Sequence, residues 1–494
     1  MAQATTTSNL GTSAASSNAD SDGAGTPASH RPDKAAKNLM SIASMFLVVG
    51  GAFLSLLLVK LAIPSLFDST SLISYGRLRP ATFALVVFGF GGTLAHAAAY
   101  YLVPRLIGAP LRREGLAALN GYLYSGLVVV GAIWVLINGS SGGVFAEFPV
   151  ALDIPLTVSM LIPALVVTDT MRDRTEDGSY ASLLFVLGAV WWYPALYIVA
   201  NVDAGGGVAT LLQTSVASAG FMTLAFPAAA VGAAFYVVAK ETGWPLFSGN
   251  LARAAFWTLA GTSLAAAPAR YMAGPAPAWL ESIATVMSLG LTVAALAVLA
   301  NLMLTMTGNW EIVTSTPALS LTLAGAAAYA GVSVLAGVQG FRSVGAVVGL
   351  TTWSDGLSVG LMLVAVPLLG MGFIFHAFPR ATGRAVFAPE TALRAARLIL
   401  WAGGTTSLLL VIAGLISGLS WNAAVASGSF TNTAGGFQQS LGSVSSMYTV
   451  ASITSIVAVL GLTLLSSTLL RTFTSGAVQA SEVLMVDETE SQDD

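Results

Sequence analysis

The side chains that could do chemistry in this sequence are few. Histidine occurs three times, as His30, His96 and His376, and cysteine is absent. Disulfides, thiolate metal sites and cysteine nucleophiles are therefore excluded. The 14 methionines could in principle serve as axial metal ligands, but methionine in a helical bundle usually fills space. Glu241, Glu281, Glu311 and Asp355 are candidate carboxylates at or near long apolar runs, where an ionisable group is costly and tends to mark a partner or a pathway. The first three fall at run ends, where solvation explains them. The runs themselves decide how any of these groups can be placed.

The 494 residues are 55% hydrophobic and 9% charged, with a mean hydropathy of +0.79. A soluble domain carries roughly a quarter charged residues, so this surface must face lipid. Twelve apolar runs are expected to span the bilayer: 39–63, 81–104, 117–138, 150–168, 181–201, 207–239, 250–273, 279–305, 316–338, 354–377, 392–419 and 443–470. A span needs about 20 such residues, and helices satisfy their own backbone in lipid. The period-2 alternation of an outer-membrane barrel is missing. Residues 1–38 read as a polar, disordered cytoplasmic tail, 39–475 as the membrane domain and 476–494 as an acidic cytoplasmic tail.

Alternating sides from a cytoplasmic N-terminus places 15 of the 20 Lys and Arg inside and 5 outside, the bias that the positive-inside rule expects. A missed or added central span would erase it. The net charge of -3 argues against nucleic acid as a partner. The expected partners are the lipid bilayer and other membrane subunits. Fifty-one glycines, with many Ala, Ser and Thr, favour close helix packing; a hydroxyl-lined pathway is the sharper alternative.

Several short stretches keep one order and spacing. They include Tyr75-Gly76-Arg77-Leu78-Arg79-Pro80, Phe88-Gly89-Phe90-Gly91-Gly92, Tyr100-Tyr101-Leu102-Val103-Pro104-Arg105, Trp244-Pro245, Gly308-Asn309-Trp310, Thr351-Thr352-Trp353 and Phe378-Pro379-Arg380. In that order they resemble the catalytic subunit of C-family (cbb3-type) heme-copper oxidases over roughly residues 40–475. The Arg77 to Pro80 stretch is fairly specific, and each other stretch is weak alone. The resemblance implies an all-α polytopic bundle of about 12 transmembrane helices, of the heme-copper oxidase subunit I type. It implies a bacterial or archaeal cytoplasmic membrane.

The same resemblance implies two hemes and a copper ion held by six histidines, because these metals need neutral nitrogen donors inside a low-dielectric bundle. Here the low-spin heme position falls on Thr82 and the paired copper positions on Ala269 and Arg270. The third copper position falls near Val216, and the tenth-span heme positions on Leu357 and Val359. The redox-active tyrosine position falls on Ser263. No cofactor is therefore expected. His96 and His376 could form a relocated bis-histidine site, although a packed or hydrogen-bonded histidine is the plainer reading. Arg270, at a copper position, and Asp355, a half-turn before Leu357, are expected to pair near the outer rim of the old cavity, directly or through water. The alternative is that each reaches the interface alone.

The expected function is a non-catalytic, pseudoenzyme-like relative of that subunit, acting as a structural or assembly component of a membrane complex, respiratory by kinship. The alternative is a proton, ion or small-molecule channel or carrier. An oxygen-reducing terminal oxidase is what the family label alone would give.

Overall fold

Helix is the backbone form that this apolar composition permits in lipid, and in the computed structural model helices joined by loops make up the described residues. These are residues 33–476, apart from 177, 179, 273 and 427–439. The expected tails fall outside this range except for 33–38 and 476. Residues 34–38 already belong to the first helix.

In chain order the membrane-crossing helices are α1 (Lys34–Ala62), α2 (Tyr75–Ile107), α3 (Glu114–Asn138), α4 (Val150–Asp173), α5 (Ala181–Asn201), α6 (Gly207–Thr242), α7 (Gly249–Thr262), α8 (Ala278–Thr305), α9 (Pro317–Gln339), α10 (Thr352–Thr382), α11 (Pro389–Ala426) and α12 (Ser445–Ser475). All but α7 are long and apolar enough to cross a membrane, which makes eleven among the described residues.

The seventh span departs from the continuous helix expected at 250–273. Helix α7 stops after 14 residues and gives way to a 3-10 turn over Ala267–Tyr271. Pro268 explains the break, since its ring and missing N–H disfavour helix at and before it. The broken segment still crosses. Ser248 at its start exchanges hydrogen bonds with Asn301 (3.1 and 2.9 Å), while Ala269 and Met272 near its end pack on Ala284. Residues 284 to 301 of α8 cover about 26 Å at 1.5 Å per residue, close to a bilayer core.

Helix α1 begins and α12 ends on one face, here the N face, where Lys37 Nζ lies 6.0 Å from the centroid of the Phe473 ring. The opposite side is the distal face. Over their most apolar 18 residues, α2, α6 and α10 are 100%, 94% and 94% buried, against 33–56% for the other long helices. These three form the centre. Glycine permits the closest crossings there: a Cβ on Gly325 would meet Leu369 N at 2.6 Å, and one on Gly414 would meet Trp353 N at 2.2 Å.

The central helices also share a local distortion, a π-helical stretch over Ala84–Gly92 in α2, Gly220–Ala225 in α6 and Gly360–Ala365 in α10. Wider turns displace carbonyls, which then need donors. In α2 the donors come from neighbouring helices. Tyr124 Oη donates to Phe88 O at 2.8 Å and Tyr193 Oη to Val87 O at 2.9 Å.

Candidate functional site

Small and hydroxylated residues on the central helices leave a cavity of about 340 Å³ in the distal half of the bundle, walled by α2 and α6 to α10. Ser263, Ala269, Arg270 and Leu357 all line it. Four of the seven positions singled out in the sequence therefore meet around one space. The others do not. Thr82 is buried and donates to Leu78 O at 2.7 Å, and Val359 is buried away from the cavity. Val216 is off the wall, where Ser215 stands instead, donating at 2.7 Å to Ala267 O of the broken span.

Two arginines stand in the wall, Arg79 and Arg270. The ion pair expected between Arg270 and Asp355 is not among those of the described residues. Asp355 pairs with Arg79 at 3.6 Å instead, joining α2 to α10. Arg79 also lies over the Phe83 ring at 5.0 Å, which holds its guanidinium at the rim. The reason is positional: α2 starts at Tyr75, so Arg79 is already helical at the distal rim, while Arg270 hangs from the 3-10 turn. Arg77 points elsewhere, donating to the terminal carbonyls of α3 at Leu136 (3.1 Å) and Ile137 (2.9 Å).

The loop between α3 and α4 adds two residues that sequence reasoning did not single out. Phe145, at φ 67°, enters the bundle and packs against Phe83, Phe88 and Phe221 with ring centroids 4.7–5.8 Å apart. A left-handed φ is unusual for a bulky residue, and this burial is what holds it. Glu147 follows. Burial pushes its carboxyl up to about 7, more strongly than the backbone N–H groups of Phe145 and Glu147, and then Arg79, draw it down. Phe88 and Phe221, both buried, pack on the Phe145 ring that lines the cavity.

The remaining candidates lie apart. On the N face Glu241 accepts from His376 Nδ1 (2.6 Å) and from Arg380 (3.0 Å), so His376 and Glu241 belong to an interfacial ion cluster. His96 is buried with its ring edge-on to Tyr124 at 4.6 Å, towards α3. His376 faces Tyr236 of α6, so the two histidines turn to different neighbours. Glu281 pairs with Arg342 at 3.8 Å, and Glu311 is exposed.

The residues do not fit the family's metals. Thr82, Val216, Ala269, Arg270, Leu357 and Val359 supply no imidazole or thiolate, and an arginine stays protonated and cannot donate a lone pair. Among the described residues no group of three or more His, Cys, Asp or Glu is placed to hold a metal ion.

A bundle of twelve crossings, with a distal cavity between its second, sixth, seventh and tenth spans, defines the class as the subunit I fold of heme-copper oxidases. A cryo-EM structure of a heme-copper terminal oxidase dimer shares it, with a TM-score of 0.72 at 13% sequence identity, over 91% of this chain and 86% of that one. The family profile for cytochrome c and quinol oxidase polypeptide I matches residues 34–460, and the chain belongs to that family. Among similar proteins, the cbb3-type cytochrome c oxidase subunit CcoN1 of Stutzerimonas stutzeri is 27% identical, over 68% of this chain and 73% of its own length. Cytochrome c oxidase subunit 1 of Rhodobacter capsulatus is 25% identical, over 84% of this chain and 80% of its own.

Proposed function

We propose that this chain is a family member that works without heme or copper, as a structural or assembly component of a membrane complex. One observation carries the reading: none of the six ligand positions offers an imidazole, and three of them now wall a cavity of hydroxyl and apolar side chains. Low identity to the cbb3-type relatives accords with divergence from their chemistry. Kinship points to a respiratory assembly in a bacterial or archaeal cytoplasmic membrane. The charge bias favours an orientation with both ends in the cytoplasm.

Mild-detergent purification from the native membrane tests the scaffold role. The expected result is a stoichiometric complex with other integral subunits that falls apart when this chain is deleted. A chain that purifies alone, with its neighbours assembling normally without it, overturns that role. A carrier is the second reading, favoured by the polar wall of the cavity. Uptake by liposomes that disappears with Asp355→Asn is the result that favours a carrier.

A further inference from the structure

We infer that the distal cavity binds a small organic carboxylate, gripped by Arg270. This rests on the cofactor-free reading, because a porphyrin would compete for the same space.

The charges at the rim do not balance. Asp355 is engaged by Arg79, and Glu281 by Arg342. Glu147 is held near 7 and so carries only part of a charge at neutral pH. Arg270 lines the cavity, half-buried, and among the described residues it makes no ion pair and no side-chain hydrogen bond. A half-buried cation without a counter-charge is incompletely compensated, and an incoming anion would pair with it. Guanidinium presents a planar fork of donors that matches a carboxylate bidentately.

The rest of the wall narrows the chemistry. Ser263, Ser288, Ser333 and Ser358 donate to carbonyls of their own helical segments, at 2.7, 2.7, 2.8 and 3.0 Å. Their protons are used, so their lone pairs are left to accept from a solute. Between them stand Phe83, Phe145, Leu291 and Leu357, which suit an apolar body. The occupant is therefore an acid with an apolar frame and an O–H or N–H donor, and inorganic phosphate has no such frame. A volume of about 340 Å³ lies at the lower end of the range for small-molecule sites.

The test is equilibrium dialysis of the full chain in nanodiscs with radiolabelled 4-hydroxybenzoate, with 4-hydroxybenzamide as the uncharged comparator and inorganic phosphate as competitor. Saturable binding of one molecule per chain is expected, with the amide at least tenfold weaker. Arg270→Gln should weaken binding at least tenfold, Arg270→Lys less, and Arg342→Gln not at all. Ala269→Phe keeps the charge, fills the space and should abolish binding. Thermal melts of each variant establish that it is folded. The inference fails if folded wild type shows no saturable binding, if Arg270→Gln binds equally, or if phosphate displaces the acid more strongly than the acid displaces itself. An absorption spectrum of the same sample separates the two failures. A stoichiometric heme band sinks the cofactor-free reading and this inference with it, whereas a band-free sample without binding sinks this inference alone.

Discussion

The π-helical stretch of α2 should make Gly92 and Tyr124 energetically inseparable. Tyr124 Oη donates to Phe88 O at 2.8 Å in the bundle core, and a Cβ added at Gly92 would stand 2.0 Å from that oxygen. Tyr124→Phe leaves a buried carbonyl without its donor, which costs about 1–3 kcal/mol. Gly92→Ala must push the hydroxyl aside. It loses the same bond and adds about 1–3 kcal/mol of overpacking, offset by up to about 1 kcal/mol of helix propensity. In the double variant the nearest remaining atom is Tyr124 Cζ at 3.0 Å, so most of the clash is gone and the bond is lost only once. The two destabilisations should therefore fall short of additivity by roughly 2–5 kcal/mol, one hydrogen bond plus most of the clash. Denaturant-induced unfolding in mixed micelles, followed by tryptophan fluorescence, gives the four stabilities of the cycle. Additivity within about 0.5 kcal/mol would refute the claim that these tyrosines cap displaced carbonyls.

Other outcomes follow from the charged groups. Burial raises the Glu147 carboxyl from 4.5 to about 7, so the folded chain binds more protons than the unfolded one between those values. Its contribution is full below about 4.5 and is lost as pH rises through about 7. Glu147→Gln should then raise stability by roughly 1–3 kcal/mol at pH 8 and leave it nearly unchanged at pH 4, and thermal melts at the two pH values read the difference. On the N face, Glu241→Ala strips His376 and Arg380 of their shared acceptor and should destabilise by roughly 2–4 kcal/mol. Glu390→Ala breaks the exposed pair with Arg394 and should change stability by less than about 0.5 kcal/mol, so chemical unfolding of both variants tests how far burial decides.

Eleven of the twelve expected spans, and their order, were legible from apolar runs alone, because length and hydropathy decide a span in lipid. The break in α7 was signalled by Pro268 but masked by the alanines around it, which keep the run apolar. The site was half legible. Ligand positions in α7 and α10 could be placed through the resemblance, and Ser263, Ala269, Arg270 and Leu357 do meet around one cavity. Asp355 was identified as needing a partner, but Arg270 was expected where Arg79 stands. Spacing along a helix says nothing about which neighbouring helix presents its charge at the same depth, and Arg79 does. Phe145 and Glu147 were beyond reach, since a loop that folds back into a bundle carries no periodicity. Val216 lies off the cavity wall while its neighbour Ser215 lines it, a difference of facing that spacing along α6 does not reveal.

Metal and heme content, measured on one sample purified in mild detergent, tests the central claim most directly. Elemental analysis for iron and copper, alongside a reduced-minus-oxidised visible spectrum, should return well under a tenth of an equivalent of each metal per chain and no Soret band. One or more equivalents of iron with a low-spin heme spectrum would contradict the account, whatever side chain proved to be the ligand.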